Sequence, residues 1–172
     1  EIKLDIEWPQ PRNTCRVTLN TANTKLPMRM AAVAWPQLKA FGDQSTFAGQ
    51  LQLNLDGSGC DGLLQGDVDL IDLEELVSRR TKQRLSGTGT LRVKLARMAD
   101  GKLVEARGSF GADEATMGVA FLQDISGILR IACERSHADR ARRHEEVAIS
   151  EIQFDFQLVQ DGLTLTGASE PG

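Results

Sequence analysis

The chain has 172 residues, of which 41% are hydrophobic and 26% charged, and this composition excludes a disordered or membrane-spanning chain. A net charge of −4 disfavours a nucleic-acid partner, because binding to the phosphate backbone needs excess positive charge. An aromatic content of 5% also supplies few rings for stacking on bases. We expect one domain, 1–172, and, since the chain begins at Glu1 rather than Met, a segment of a longer protein.

The first third of the chain predicts three strands. Residues 2–7 alternate apolar with charged side chains, as a half-buried strand does. In CRVTLN (15–20) every second residue is also apolar or a cysteine, which predicts a second strand. Residues 26–33 predict a third, which Pro27 limits to a sheet edge or a strand start because proline has no N–H to donate.

A sequence motif that occurs three times, which we call the phrase, dominates the rest of the sequence. It has a Gly-containing start, alternating apolar residues, an Asp-Gly pair and a short second run ending in Gly, and its copies span 47–66, 85–108 and 152–167. Alternation places every second side chain of a strand on one face, and Asp-Gly favours the tight turn of a hairpin. The predicted turns are Asp61-Gly62, Asp100-Gly101 and Asp161-Gly162.

The clearest helix prediction lies between the first two copies. Asp72 can cap a helix that extends to Arg84. Acidic residues at its start and basic residues at its end match the helix dipole. We therefore expect this helix to pack on the apolar face of the sheet.

Residues 113–134 are compatible with two structures. One is a helix that begins at Asp113; the other is a pair of strands, 117–121 and 129–133. We favour the two strands, because Gly118 and Gly127 each weaken a helix by about 1 kcal/mol relative to Ala. The predicted fold is then α+β and mainly β: a curved antiparallel sheet of repeated hairpins with one or two helices packed on it.

The sequence has no catalytic or metal-binding motif. Cys133 and His137 are four residues apart, but His144 follows seven residues later, so we interpret both histidines as solvated surface residues. Acidic neighbours balance the arginines of 135–143, which favours a solvated face over an anion site. We predict no cofactor, no metal and no enzymatic activity. The sequence leaves open the disulfide state of Cys15, Cys60 and Cys133.

AsmA-like proteins resemble this chain over roughly 47–167. Their repeating unit, a strand, D-L-x-x-L, a short helix, L-S-G-x-L-x-L-x-L, a Gly-bearing turn and a return strand ending in Gly, is similar to VDLIDLEELVSRRTKQRLSGTGTLRVKLARMADGKLVEARGSF (68–110). The matching residues are Asp72, Leu73, Leu76, Leu85, Ser86, Gly87, Leu91, Val93, Leu95, Gly101, Leu103 and Gly108. The family's C-terminal strands resemble FLQDISGILRI (121–131) and ISEIQFDFQLVQDGLTLTG (149–167).

This resemblance implies a non-enzymatic protein of the periplasm or cell envelope, anchored through a segment outside this chain. Such proteins take part in lipid handling or outer-membrane biogenesis, with acyl chains shielded along an apolar groove, so the implied partners are lipid acyl chains or other envelope proteins. The lipid-facing candidates are Leu51, Leu53, Leu55, Leu91, Val93, Leu95, Phe154, Phe156 and Leu158. The alternative is a structural or protein-interaction module whose apolar face is a closed core.

Overall fold

The computed structural model describes residues 1–9, 14–32, 36–57, 59–78, 81–129 and 146–167. In these parts of the chain, nine strands form one antiparallel sheet. The strands are β1 (Lys3–Glu7), β2 (Cys15–Asn20), β3 (Leu26–Pro27), β4 (Thr46–Leu55), β5 (Cys60–Asp72), β6 (Leu85–Ala99), β7 (Lys102–Gly118), β8 (Glu146–Val159) and β9 (Gly162–Gly167). The helical segments are α1 (Met28–Ala31), a 3₁₀ helix (Pro36–Phe41), α2 (Leu73–Ser78) and α3 (Val119–Leu129). The predicted α+β, mainly β class is confirmed.

The sheet consists of four hairpins that lie side by side. Its strand order is β1-β2-β4-β5-β6-β7-β8-β9, and β3 pairs with the start of β4. Because consecutive strands run antiparallel, the first strand of each hairpin ends, and the second begins, at the same end of the sheet, which we call the hairpin end. The described helical segments, which connect one hairpin to the next, lie at the opposite, helical end. The three copies of the phrase are therefore the last three hairpins, as predicted.

Two of the three predicted turns are displaced. Asp100-Gly101 is confirmed, with positive φ angles of 51° and 72°. Asp61-Gly62 lies instead inside β5, because the chain turns earlier, between the paired residues Leu55 and Cys60; there the Gly59 N–H donates to the Asp56 carboxylate at 2.9 Å. The last hairpin turns at residues 160–161, since Val159 pairs with Gly162.

The helix predicted to reach Arg84 is capped as expected but is shorter. The Asp72 carboxylate accepts from the N–H groups of Glu74 and Glu75, at 3.0 and 3.1 Å. The prediction is wrong at the other end, because Thr81–Arg84 are not helical. Both the N–H and the hydroxyl of Thr81 donate to the Val77 carbonyl, each at 3.0 Å. The backbone is in an extended conformation from Leu85 onward, where β6 begins.

The favoured two-strand structure of 113–134 is wrong for residues 119–129. Strand β7 continues to Gly118, whose N–H donates to the Arg84 carbonyl at 2.9 Å, and α3 begins at the next residue, the fully buried Val119. The helix therefore starts six residues after Asp113, which pairs inside β7. The predicted second strand beyond Leu129 lies outside the described residues.

The third predicted strand stops earlier than expected. Strand β3 ends at Pro27, where proline limits pairing, and residues 28–31 are the short helix α1 rather than extended chain. The Met28 N–H donates to the Ser45 carbonyl at 2.8 Å, and the Met28 side chain is buried. The segment thus supplies a core residue at the helical end instead of more sheet.

Candidate functional site

The register aligns the apolar residues of all four hairpins in rows that cross one face of the sheet. A row near the turns, which we call the first row, contains Ile6, Val17, Leu53, Gly62, Met98 and Leu103. The second row contains Leu4, Leu19, Leu51, Leu64, Ala96, Ala106, Leu158 and Leu163. The one-sided alternation predicted from the sequence therefore continues from one edge strand to the other.

At the helical end, this face is a closed core. Residues from α1, α2 and the strands form one buried cluster: Met28, Phe47, Val68, Ile71, Leu73, Ala112 and Ala115. Leu91 packs against this cluster. Phe154 stacks on Phe110 with ring centroids 5.2 Å apart, and Phe110 also packs against the cluster. Two of the nine lipid-facing candidates, Leu91 and Phe154, thus lie at the closed end of the face.

At the hairpin end, the same face is more accessible. The buried cluster includes none of the first-row residues. Leu53 is only 6% exposed, because it lies over Gly62, but Leu55 and Leu103 near the turns are 38% and 50% exposed. Leu51, Phe156 and Leu158 are half-buried, and Val93 is buried. The alternatives of an accessible face and a closed core therefore describe opposite ends of one surface.

A β-bulge removes one candidate from the face. The register shifts between Val93 and Leu95, so that Leu95 lies opposite Arg107 and Ala96 takes the position in the second row. A bulge of this kind sets two residues against one and bends the strand. Similar shifts occur at Leu70 and Glu114, both with positive φ, and they curve the sheet. Leu95 thus departs from the predicted alternation.

Glycines of the repeated phrase lie beneath aromatic rings. A Cβ added at Gly66 would lie 2.9 Å from the Phe47 ring, one at Gly89 2.7 Å from the Phe110 ring, and one at Gly108 2.8 Å from the Phe156 ring. Rings of this kind cover the backbone that glycine leaves exposed in a strand. The regular spacing of Gly and Phe in the sequence is the signal that could have indicated these contacts, but the pairing of the strands was needed to show which ring covers which glycine.

Both edges of the sheet expose apolar side chains. Strand β1 forms as predicted, but its apolar residues are not half-buried: Leu4 and Ile6 are 58% and 55% exposed. On the opposite edge every residue of β9 is exposed, with Leu163 at 60% and Leu165 at 41%. The physical reason is that an edge strand has a neighbour on one side only. These residues extend the apolar face beyond the nine candidates.

The opposite face of the sheet is polar and paired. Arg92 bonds Asp67 at 3.1 Å directly across β5 and β6. Glu105 forms an ion pair with Arg97 at 3.5 Å across β6 and β7, and its carboxylate accepts a hydrogen bond from Arg107 at 2.8 Å. Such exposed pairs contribute little stability, but they keep this face solvated and fix which face is apolar.

Neighbouring turns are linked at the hairpin end. The Asp61 carboxylate accepts from the Asp100 N–H at 3.1 Å, and the Gly101 N–H donates to the Cys60 carbonyl at 2.8 Å. Burial, and then the Asp61 carboxylate, raises the pKa of the Cys60 thiol. Cys15 and Cys60 are both free thiols. The Asp61-Gly62 pair predicted as a turn thus has a different role, since its carboxylate accepts a hydrogen bond from the turn of the next hairpin.

The remaining sequence candidates were Cys133, His137, His144 and the arginines of 135–143, and they lie outside the described residues. Within the part of the chain that is described, no three His, Cys, Asp or Glu side chains are grouped so that they could hold a metal ion. Over the same residues, none of the helices has the length and apolarity needed to cross a bilayer. Comparison with protein-family models, with curated proteins and with solved structures gave no match.

Proposed function

We propose that this chain is a non-enzymatic module of the bacterial cell envelope that handles lipids through the apolar face of its sheet. The observation that supports this proposal best is the second row, which runs from edge strand to edge strand, with the first row beside it from β1 to β7. The resemblance to AsmA-like proteins, which is carried by the same hairpins, supplies the envelope location and the class of ligand.

The dimensions of the rows fit an acyl chain. The main path of the sheet has eight strands, and seven spacings of about 4.8 Å make the second row roughly 34 Å long, against about 15 Å for one leaflet of a bilayer's hydrocarbon core. An acyl chain laid along the rows contacts leucines from several hairpins. Its binding is driven by the removal of apolar area from water, so the surface accepts many chain types.

The accessible hairpin end supports a surface that a ligand can reach from solvent. Leu55 and Leu103 are exposed near the turns, and Leu4 and Leu163 are exposed at the two edges. Apolar patches on a folded domain often mark interaction sites. The buried cluster at the helical end supplies the rigid support, since it fixes the hairpins relative to one another.

The test is acyl-chain binding by a charge variant and its matched control. Native mass spectrometry of protein purified without detergent, together with titration of a fluorescent fatty acid, should detect bound acyl chains. Leu55→Lys/Leu103→Lys should weaken probe binding about tenfold, because a buried ammonium must be desolvated. Leu63→Lys is the control, since Leu63 is 42% exposed but lies on the polar face, opposite Gln52 and Arg97.

Two results would contradict the proposal. The first is a wild-type protein that carries no lipid and does not bind the probe. The second is equal weakening by the Leu63→Lys control, because the apolar face would then have no special part in binding.

The second candidate function is a structural or protein-interaction module. The closed core at the helical end favours it, because Ile71 and Leu73 there are fully buried, as in a domain that needs no ligand to fill it. This function predicts stable folding without lipid and contacts made through the sheet edges. A lipid-free wild-type protein of full thermal stability would favour this function over lipid handling.

A further inference from the structure

We propose that copies of this chain associate head to tail, with β9 of one copy pairing antiparallel with β1 of the next. The feature that leads to this inference is the pair of edges, each an exposed strand with two exposed apolar side chains on the same face of the sheet. The inference does not depend on lipid binding, because it concerns the backbone and side chains of the edges.

Strand direction permits this pairing. The main path contains eight strands, each antiparallel to its neighbour, so β1 and β9 run in opposite directions. A second copy placed beside β9 in the same orientation presents its β1 antiparallel to that strand. The apolar faces of both copies then lie on the same side of a continuous sheet, and an odd number of strands would not allow this.

The chain already contains three junctions of this kind. Hairpin packs against hairpin where β2 meets β4, where β5 meets β6 and where β7 meets β8. At each junction, apolar residues lie opposite apolar residues, for example Leu19 opposite Leu51 and Phe110 opposite Phe154. A junction between β9 and β1 of two copies repeats this arrangement with the same residue types.

One register matches the apolar side chains of both edges. It sets Leu163 opposite Ile6 and Leu165 opposite Leu4 of the next copy. Thr164 and Thr166 then lie opposite Asp5 and Lys3 on the polar face, so that no like charges meet. Strand lengths agree as well, since β1 has five residues and β9 has six. Cross-strand pairs of these types each stabilise a sheet by roughly 0.2–1 kcal/mol.

Strand β9 lacks the features by which proteins usually prevent edge pairing. Natural edges carry charges, prolines or bulges. Residues 162–167 (GLTLTG) contain no charge and no proline, and they pair with β8 without a register shift. On β1, the charged residues Lys3, Asp5 and Glu7 alternate with the apolar ones and lie on the polar face, which leaves the apolar side free to continue the row.

The test uses two variants that each block one edge. Leu4→Lys/Ile6→Lys blocks β1, and Leu163→Lys/Leu165→Lys blocks β9, because inward-pointing charges prevent edge pairing. Sedimentation of the 172-residue chain at roughly 100 μM should detect association with a Kd in the micromolar range. We expect wild type to form dimers and larger species, each variant alone to be monomeric, and an equal mixture of the two to form dimers and nothing larger.

The mixture also controls for folding, since a misfolded variant could not restore dimers. Thr164→Lys, on the polar face of β9, should associate as wild type does. A monomeric wild type would overturn the proposal, and so would a mixture that stays monomeric. Dimers of either variant alone would show pairing of like edges instead. Loss of association in Thr164→Lys would refute the register given above.

Discussion

Replacing Gly108 with alanine should strongly destabilise the sheet. The added Cβ would lie 2.8 Å from the Phe156 ring and well inside contact distance of the Arg92 carbonyl oxygen. The ring can rotate, but the carbonyl belongs to the backbone ladder between β6 and β7 and moves only if those strands separate. Overpacking costs about 1–3 kcal/mol, and we expect about 3 kcal/mol here because the obstacle is backbone.

Gly111→Ala is the matched control for this prediction. Gly111 lies three residues further along β7, and a Cβ there would have no atom within 4 Å. It should be neutral or stabilising by about 0.5 kcal/mol, because alanine loses less backbone entropy than glycine on folding. Urea unfolding measures both differences, and Gly108→Ala should lower Tm by about 10 °C.

Equal effects of the two alanine variants would refute the reasoning. A third variant separates the ring from the backbone. Phe156→Leu combined with Gly108→Ala should recover only part of the lost stability, since the Arg92 carbonyl remains in place. Full recovery would mean that the ring, and not the backbone, is the obstacle.

Asp72→Ala should lower the free energy of unfolding by about 1 kcal/mol through loss of the α2 cap, and Asp72→Asn should retain most of it; urea unfolding measures both. A double-mutant cycle of Phe110→Leu and Phe154→Leu should give a coupling of about 1 kcal/mol, and a coupling near zero would contradict the stacked pair. Because burial and then Asp61 raise the pKa of Cys60, alkylation of this thiol at alkaline pH, followed by mass spectrometry, should be slower in the folded than in the denatured chain. The stability linked to the protonated thiol is present below the ordinary thiol pKa and is lost as pH rises through the raised pKa, so unfolding should become easier over that range.

The fold class could be predicted because alternation along a strand is a local property. The leucines of β4 and the phenylalanines of β8 alternate with polar residues, and that pattern alone indicates a sheet with one apolar face. The turn at Asp100-Gly101 was also local, since both residues must adopt positive φ. Neither prediction required knowledge of which strands pair.

The errors arose where pairing decided the structure. Asp61-Gly62 has the sequence of a turn, but the chain already turns between the paired residues Leu55 and Cys60, so Gly62 lies inside a strand, opposite Leu53. Leu95 alternates perfectly in the sequence, yet a bulge against Arg107 moves it off the apolar face. Gly118 weakened the helix prediction, but it ends β7 one residue before α3 begins.

The order of hairpins along the chain also fixes how the protein should come apart. Over the residues that the structure describes, each hairpin pairs only with the hairpins that precede and follow it in sequence, so cooperativity passes from neighbour to neighbour as in a linear array. The outer pairs, β1–β2 and β8–β9, should therefore exchange their amide hydrogens first, and β5–β6 last. Thermal melting would then progress from the flanks of the sheet inward, leaving the central strands and their cluster around Ile71 as the final folded remnant.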